Sequence, residues 1–138
     1  MTPHVVITGA AGGIGSALVC DFASSGYRVI GLDSMPEPSG FSGSCYLRLD
    51  LERFVLDEAY RAQGLTAIRE CLNQATLGVL VNNAAVQVLG GVDTLTLAGW
   101  QRTLNVNLLA PFVLSQALLP ELEAARGCVI NISSITPA

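Results

Sequence analysis

Residues 5–19 read VVITGAAGGIGSALV, and the fold turns on them. "HVVIT" (His4–Thr8) is an apolar, β-branched run of strand length. "GIGSALVCDFASSG" has the apolar spacing of a helix and closes on Gly26, a residue suited to the position just past a helix end. Gly9, Gly13 and Gly15 join the two elements. Glycines at such a joint permit a tight turn, close approach of a pyrophosphate, and packing of helix on sheet. The helix N-terminus adds unpaired N–H groups and the positive end of its dipole. A glycine triplet alone is a weak signal. It becomes strong when it lies at a strand-to-helix junction and an acid follows about 20 residues on. Asp33, closing the next apolar run "YRVIGLD", is that acid.

Outward from this joint, strands and helices alternate. "SMPEPSGFSG" is a turn-rich connector and "SCYLRLD" a third strand. A helical region from Glu52 to Gln74 follows, with Gly64 expected to interrupt it. "LGVLVNNAA" is a fourth strand. A long helix over Leu97–Ala124 carries Pro111 and Pro120 as expected kinks, and "GCVINIS" is a fifth strand. This rhythm predicts one α/β unit over residues 1–138, a Rossmann-type doubly wound parallel sheet with strand order 3-2-1-4-5.

Composition narrows the class. Hydrophobic residues make up 51% of the 138 and charged residues 13%, with mean hydropathy +0.51. Little charge remains to coat a surface, which suits a sheet covered on both faces or a chain that hides area against a partner. A net charge of -4 and scattered arginines argue against nucleic acid. No apolar run reaches membrane-spanning length, and "MTPHVVITG" has no basic region leading an apolar one, so a cytoplasmic protein is expected. Cys20, Cys45, Cys71 and Cys128 are widely spaced with no CxxC. They read as four reduced, mostly buried thiols, with no metal site and no disulfide.

The position of Asp33 favours NAD over NADP. A carboxylate there accepts hydrogen bonds from the ribose hydroxyls and repels a 2′-phosphate. Neither the glycine loop nor the residues just after Asp33 offer an Arg or Lys to that phosphate. The alternative is an aspartate that merely caps a turn.

These residues, taken with four further motifs, resemble the short-chain dehydrogenase/reductase family over the whole chain. "TGAAGGIG" (Thr8–Gly15) is similar to its T-G-x-x-x-G-x-G, and Asp50-Leu51 to the acid after strand three that contacts adenine. "NNAA" (Asn82–Ala85) is close to N-N-A-G, "NVN" (Asn105–Asn107) falls in the long helix, and "INISS" (Ile130–Ser134) is similar to the strand leading to the catalytic serine. The loop also fits T-G-x-x-G-x-x-G through Gly9, Gly12 and Gly15, the form of the extended branch with sugar-nucleotide epimerases, and Ala85 leans that way. "NNAA" and "NVN" favour the dehydrogenase-type branch.

The resemblance implies hydride transfer between a nicotinamide cofactor and a small alcohol or carbonyl substrate. It assigns Thr8, Gly9, Gly13, Ile14, Gly15, Asp33, Asp50, Leu51, Asn82 and Ala84 to the cofactor, with the backbone near Val86 bordering the riboses. Asn107 is implied as the asparagine whose local helix distortion holds a relay water, and Ser134 as the residue that hydrogen-bonds the substrate oxygen. Ser133 is expected to face the sheet or cofactor. A homo-oligomer, or association with a C-terminal half, is the expected partner.

The same resemblance implies a Tyr-x-x-x-Lys about a dozen residues after the serine. Four residues follow Ser134; Tyr27, Tyr46 and Tyr60 lack a lysine four positions on, and all seven basic residues are Arg. Proton transfer near neutral pH needs a tuned donor, so this chain alone is expected to be inactive. It reads as the N-terminal part of an enzyme, truncated after the fifth strand, or else as a non-catalytic nucleotide-binding or interaction protein. The fifth strand is then an apolar edge. His4 is expected at the surface or a sheet edge, Trp100 against the sheet or a neighbouring subunit, and Asp93 as a cap of the following helix.

Overall fold

Strand β1 (His4–Thr8) is buried along its whole length, because it lies at the centre of a parallel sheet. In the computed structural model, which describes residues 2–135, five strands run in the order β3-β2-β1-β4-β5. The others are β2 (Arg28–Asp33), β3 (Cys45–Arg48), β4 (Val79–Asn82) and β5 (Cys128–Asn131). The order is the one expected from the sequence. Val6 pairs with Ile30 on one side and Leu80 on the other. Alternation along the strands builds two cores. Val5, Ile7, Val29 and Val81 pack with Val19 of α1 (Gly13–Ser24) on one face. Val6, Ile30, Leu32 and Leu80 pack with Phe54, Ile68 and Leu114 on the other. A sheet covered on both faces has no polar side to alternate with, hence the nearly continuous apolar runs.

The helical stretch after β3 breaks at Asp57 rather than at Gly64. It forms α2 (Leu51–Leu56) and α3 (Glu58–Leu72). Asp57 is extended and its carboxylate accepts the Tyr60 N–H at 3.0 Å, capping α3. Arg61 donates to the carbonyls of Phe54 and Val55, satisfying the end of α2. Gly64 stays inside α3 because the helix runs close to its neighbours: a Cβ there would sit 2.9 Å from the Leu49 side chain.

The expected single helix over Leu97–Ala124 is also divided. It comprises α4 (Leu97–Leu104), a π turn (Asn105–Leu109), α5 (Ala110–Ala117) and α6 (Leu119–Ala125). In the π turn the Ala110 N–H bonds the carbonyl of Asn105, five residues back. Pro120 lies in the first turn of α6, after the break at Leu118, where a missing N–H costs little, and Pro111 follows directly on the π turn at the second residue of α5. The chain bends by 60° between Ala117 and Leu119. Thr96, not Asp93, caps α4: its Oγ1 accepts the Gly99 N–H at 3.1 Å.

Two other expectations are corrected. His4 is buried, 7% exposed, because β1 already begins there. Of the two places expected for Trp100, the sheet is not the one observed: its side chain is 53% exposed, which leaves it free to meet a neighbouring subunit. Cys45, opening β3, and Cys71, near the end of α3, are joined as a disulfide with Cα atoms 6.1 Å apart, while Cys20 and Cys128 are free and exposed. A separation of 26 residues along the chain gives no hint that the fold lays α3 beside β3. Arg69 ties α3 to the last helices through Glu121, at 2.6 Å, and the carbonyl of Ala117. Strand β5 is exposed along its length, as expected for an apolar edge. Among the described residues no single helix is long and apolar enough to cross a membrane.

Candidate functional site: a cleft at the strand ends

The C-terminal ends of β1, β2 and β4 open on a cleft of about 610 Å³. Its floor is the glycine joint. Gly9 has φ +67°, and a Cβ on it would lie 2.9 Å from Asn83 Nδ2 and 3.0 Å from Ala84 Cα. A Cβ on Gly15 would run into the Gly9 carbonyl oxygen, whereas a Cβ on Gly13 would meet nothing within 4 Å. Gly15 therefore lets helix and turn pack, and Gly13 keeps a cradle open. Helix α1 starts here with Gly12 as its N-cap, no capping side chain and no acid in its first turn. Its positive end is uncompensated, the condition that suits a pyrophosphate. By shape and polarity these residues fit a dinucleotide.

Two carboxylates stand at the ends of β2 and β3. Asp33 accepts the Ala11 N–H on Oδ2 at 2.9 Å and the Met35 N–H on Oδ1 at 3.0 Å. It holds the glycine loop against the exit of β2, and each oxygen keeps lone-pair capacity for a hydroxyl. Asp50 caps α2, its Oδ1 accepting the N–H groups of Glu52 and Arg53 at 3.0 and 3.2 Å. Its own N–H donates to Tyr60 Oη at 3.0 Å.

Gly9, Gly13, Ile14, Gly15, Asp33, Asp50, Leu51 and Ala84 all line the cleft. Thr8, Asn82, Asn107 and Ser134 do not. Thr8 is buried behind the wall, its Oγ1 accepting the N–H groups of Asn83 and Ala84 at 3.0 and 2.9 Å. Asn82 is buried too and donates to Asn131 Oδ1 at 2.9 Å, bracing β4 on β5. Asn107, within the π turn, clasps the backbone of Val86. Its Oδ1 accepts the Val86 N–H and its Nδ2 donates to the Val86 carbonyl, both at 2.8 Å. Strand β5 stops at Asn131, and the Ile132 N–H makes a last bond to the Asn82 carbonyl. Ser134 is exposed, three residues beyond the strand.

Several lining residues escaped the sequence reading, Asn83 and Arg102 among them. Asn83 occupies the wall next to Asn82 and donates to the carbonyls of Thr8 and Gly9 at 3.1 and 3.4 Å. Arg102 lies on α4, one turn before Val106, which also lines the cleft. The (i, i+4) spacing to Val106 was the available signal. None of the three tyrosines lines the cleft. Tyr46 donates to the Met35 carbonyl at 2.7 Å, and burial, with the charge of Asp33, pushes its phenol up.

A parallel sheet in this order, with a glycine joint and acids closing its second and third strands, defines a Rossmann-type nucleotide-binding domain. The chain belongs to the short chain dehydrogenase family, whose model matches residues 3–137. It is 36% identical over 133 residues to a 3-alpha-(or 20-beta)-hydroxysteroid dehydrogenase of Mycobacterium tuberculosis, covering 94% of this chain and 50% of that protein. An oxidoreductase of the family from Brucella ovis, solved with a partially ordered NAD, superposes with TM-score 0.81 at 30% identity, covering 94% of this chain and 61% of the other. A metagenomic short-chain oxidoreductase in complex with NADP gives TM-score 0.82 at 32% identity, covering 96% and 62%. The chain spans about half the length of the curated relatives it matches.

Proposed function

We propose that this chain is the cofactor-binding part of an NAD-dependent oxidoreductase that moves hydride between nicotinamide and an alcohol or carbonyl compound. Asp33 carries the reading: a carboxylate closing β2, hydrogen-bonded to the glycine loop through Ala11, suits ribose hydroxyls and opposes a 2′-phosphate. Related structures hold NAD in one case and NADP in another, so the preference rests on Asp33 itself.

In this reading the α1 N-terminus and Gly13 receive the pyrophosphate, Asp50 and Leu51 border the adenine, and Ala84 and Val86 border the riboses. When bound, the dinucleotide supplies or accepts the hydride. Asn107 fixes the Val86 backbone and keeps the π turn in place, and Ser134 orients the substrate oxygen. Thr8 and Asn82 act from behind the wall. No tyrosine lines the cleft and the sequence has no lysine, so the residues here serve the cofactor side of the reaction and do not include its proton donor. The exposed apolar row Leu97, Trp100, Leu104, Leu108 and Phe112 suits contact with a second copy.

Calorimetric titration with NADH and NADPH tests the reading. NADH is expected to bind more tightly, and Asp33→Ala is expected to narrow the gap. Tighter NADPH binding by the unaltered chain would overturn the cofactor assignment.

A further inference from the structure

Among the residues lining the cleft, Arg102 is the one cation, set against Asp33 and Asp50. Its guanidinium is held by a neighbouring helix: Nη1 lies 3.4 Å from Oε2 of Glu52, in the first turn of α2. That turn follows Asp50 and carries Leu51, so the ion pair ties α2 to α4 next to two of the lining residues. Val106, one turn further along the same helix, and Leu51 supply apolar surface there. Both partners remain partly exposed, at 55% and 26%. A surface pair this long contributes little to stability, so folding alone gives weak reason for the arrangement.

A planar cation that shares a cleft with apolar side chains and a carboxylate has the chemistry to receive a purine. The guanidinium can stack on the ring or donate to its nitrogens, and it has no acceptor to offer. We propose that Arg102 is a specificity-determining residue for the adenine of the dinucleotide, positioned by Glu52 and closing the base end of the cleft. This rests on the cofactor reading above and adds to it the residue that recognises the base.

Titration of the full chain with NADH, AMP and nicotinamide mononucleotide, followed by amide chemical shifts in NMR, tests it. Arg102→Ala is expected to weaken AMP and NADH by a common factor of roughly 3- to 30-fold, the range of a guanidinium–aromatic contact, and to leave the mononucleotide unchanged. Arg102→Lys should recover part of the loss. Glu52→Gln, which keeps the guanidinium and removes its anchor, should cost less than Arg102→Ala.

Unchanged AMP affinity in Arg102→Ala would overturn the proposal. So would an equal loss for the mononucleotide, or a loss in Glu52→Gln as large as in Arg102→Ala, which would reduce Arg102 to a strut between α2 and α4. If the unaltered chain bound neither AMP nor NADH, the dinucleotide reading itself would fall, and the role of Arg102 with it.

Discussion

Asn107 and the backbone of Val86 form a closed pair of hydrogen bonds, each 2.8 Å, that pins the π turn to the segment leaving β4. A side-chain amide that donates and accepts at one peptide fixes the position of that peptide and its orientation together. The pair thus sets the rim of the cleft where Val86 lies.

Replacing Asn107 by Leu removes both bonds at nearly constant volume. A loss of about 1–2 kcal/mol in denaturant unfolding is expected. Amide exchange at Val86 should accelerate more than exchange in β1. Unchanged protection at Val86 would mean the pair does not hold the rim.

The two glycines of the α1 N-terminus should behave differently. Gly15→Ala drives a methyl into the Gly9 carbonyl, and overpacking of this kind costs about 1–3 kcal/mol. Gly13→Ala meets open space, so its melting temperature should stay close to that of the parent. Its NADH affinity should nevertheless fall, because the methyl enters the phosphate cradle. Intact NADH binding in Gly13→Ala would place the pyrophosphate elsewhere.

His4 makes a separable contribution to pH dependence. Burial, and then the charge of Arg28, lower its pKa from the ordinary 6.5, against a hydrogen bond that the imidazole donates to the Thr2 backbone, which raises it. The unfolded chain therefore takes up the proton first. Stability is full above pH 6.5 and declines as pH falls below that value. The lowered carboxyls of Glu121 and Asp57 start from ordinary values of 4.5 and 3.8, so their losses come at lower pH. Urea unfolding at pH 7.5 and 5.5 should show a decline in the parent and a flatter response in His4→Phe. Equal stability of the parent at both values would contradict the shift.

The cysteines can be counted directly. Alkylation of the denatured protein without reductant should label Cys20 and Cys128 and leave Cys45 and Cys71 unmodified; with reductant all four should react. Cys71→Ser is expected to cost about 2–4 kcal/mol, the usual range for a native disulfide. Four labelled thiols in the absence of reductant would remove the bridge.

The sheet was legible because strands buried on both faces leave long apolar runs whatever their neighbours. The breaks in the helices were not. Gly64 has the weaker propensity, yet the chain turns at Asp57, where a carboxylate caps α3 and Arg61 closes α2. Tertiary contact with Leu49 keeps the glycine helical. The glycine loop, Asp33 and Asp50 were readable from motif and spacing. The distinction between Asn82 and Asn83 was not, since adjacent residues at a strand end face opposite ways. Arg102 was hidden for a different reason: its partner Glu52 lies 50 residues away along the chain.

The π turn acts on the long helix as a change of phase. An α-helix advances about 100° per residue, and the wide turn takes in one residue more than an α turn. Everything upstream of Asn105 is therefore set round by about that angle relative to the buried face of Ala110, Leu114 and Leu118. Deleting one residue from this turn would keep the segment helical and leave the core of α5 in place. It would also swing Arg102 away from Glu52. The edge of the cleft that Arg102 occupies is thus set by a single supernumerary residue.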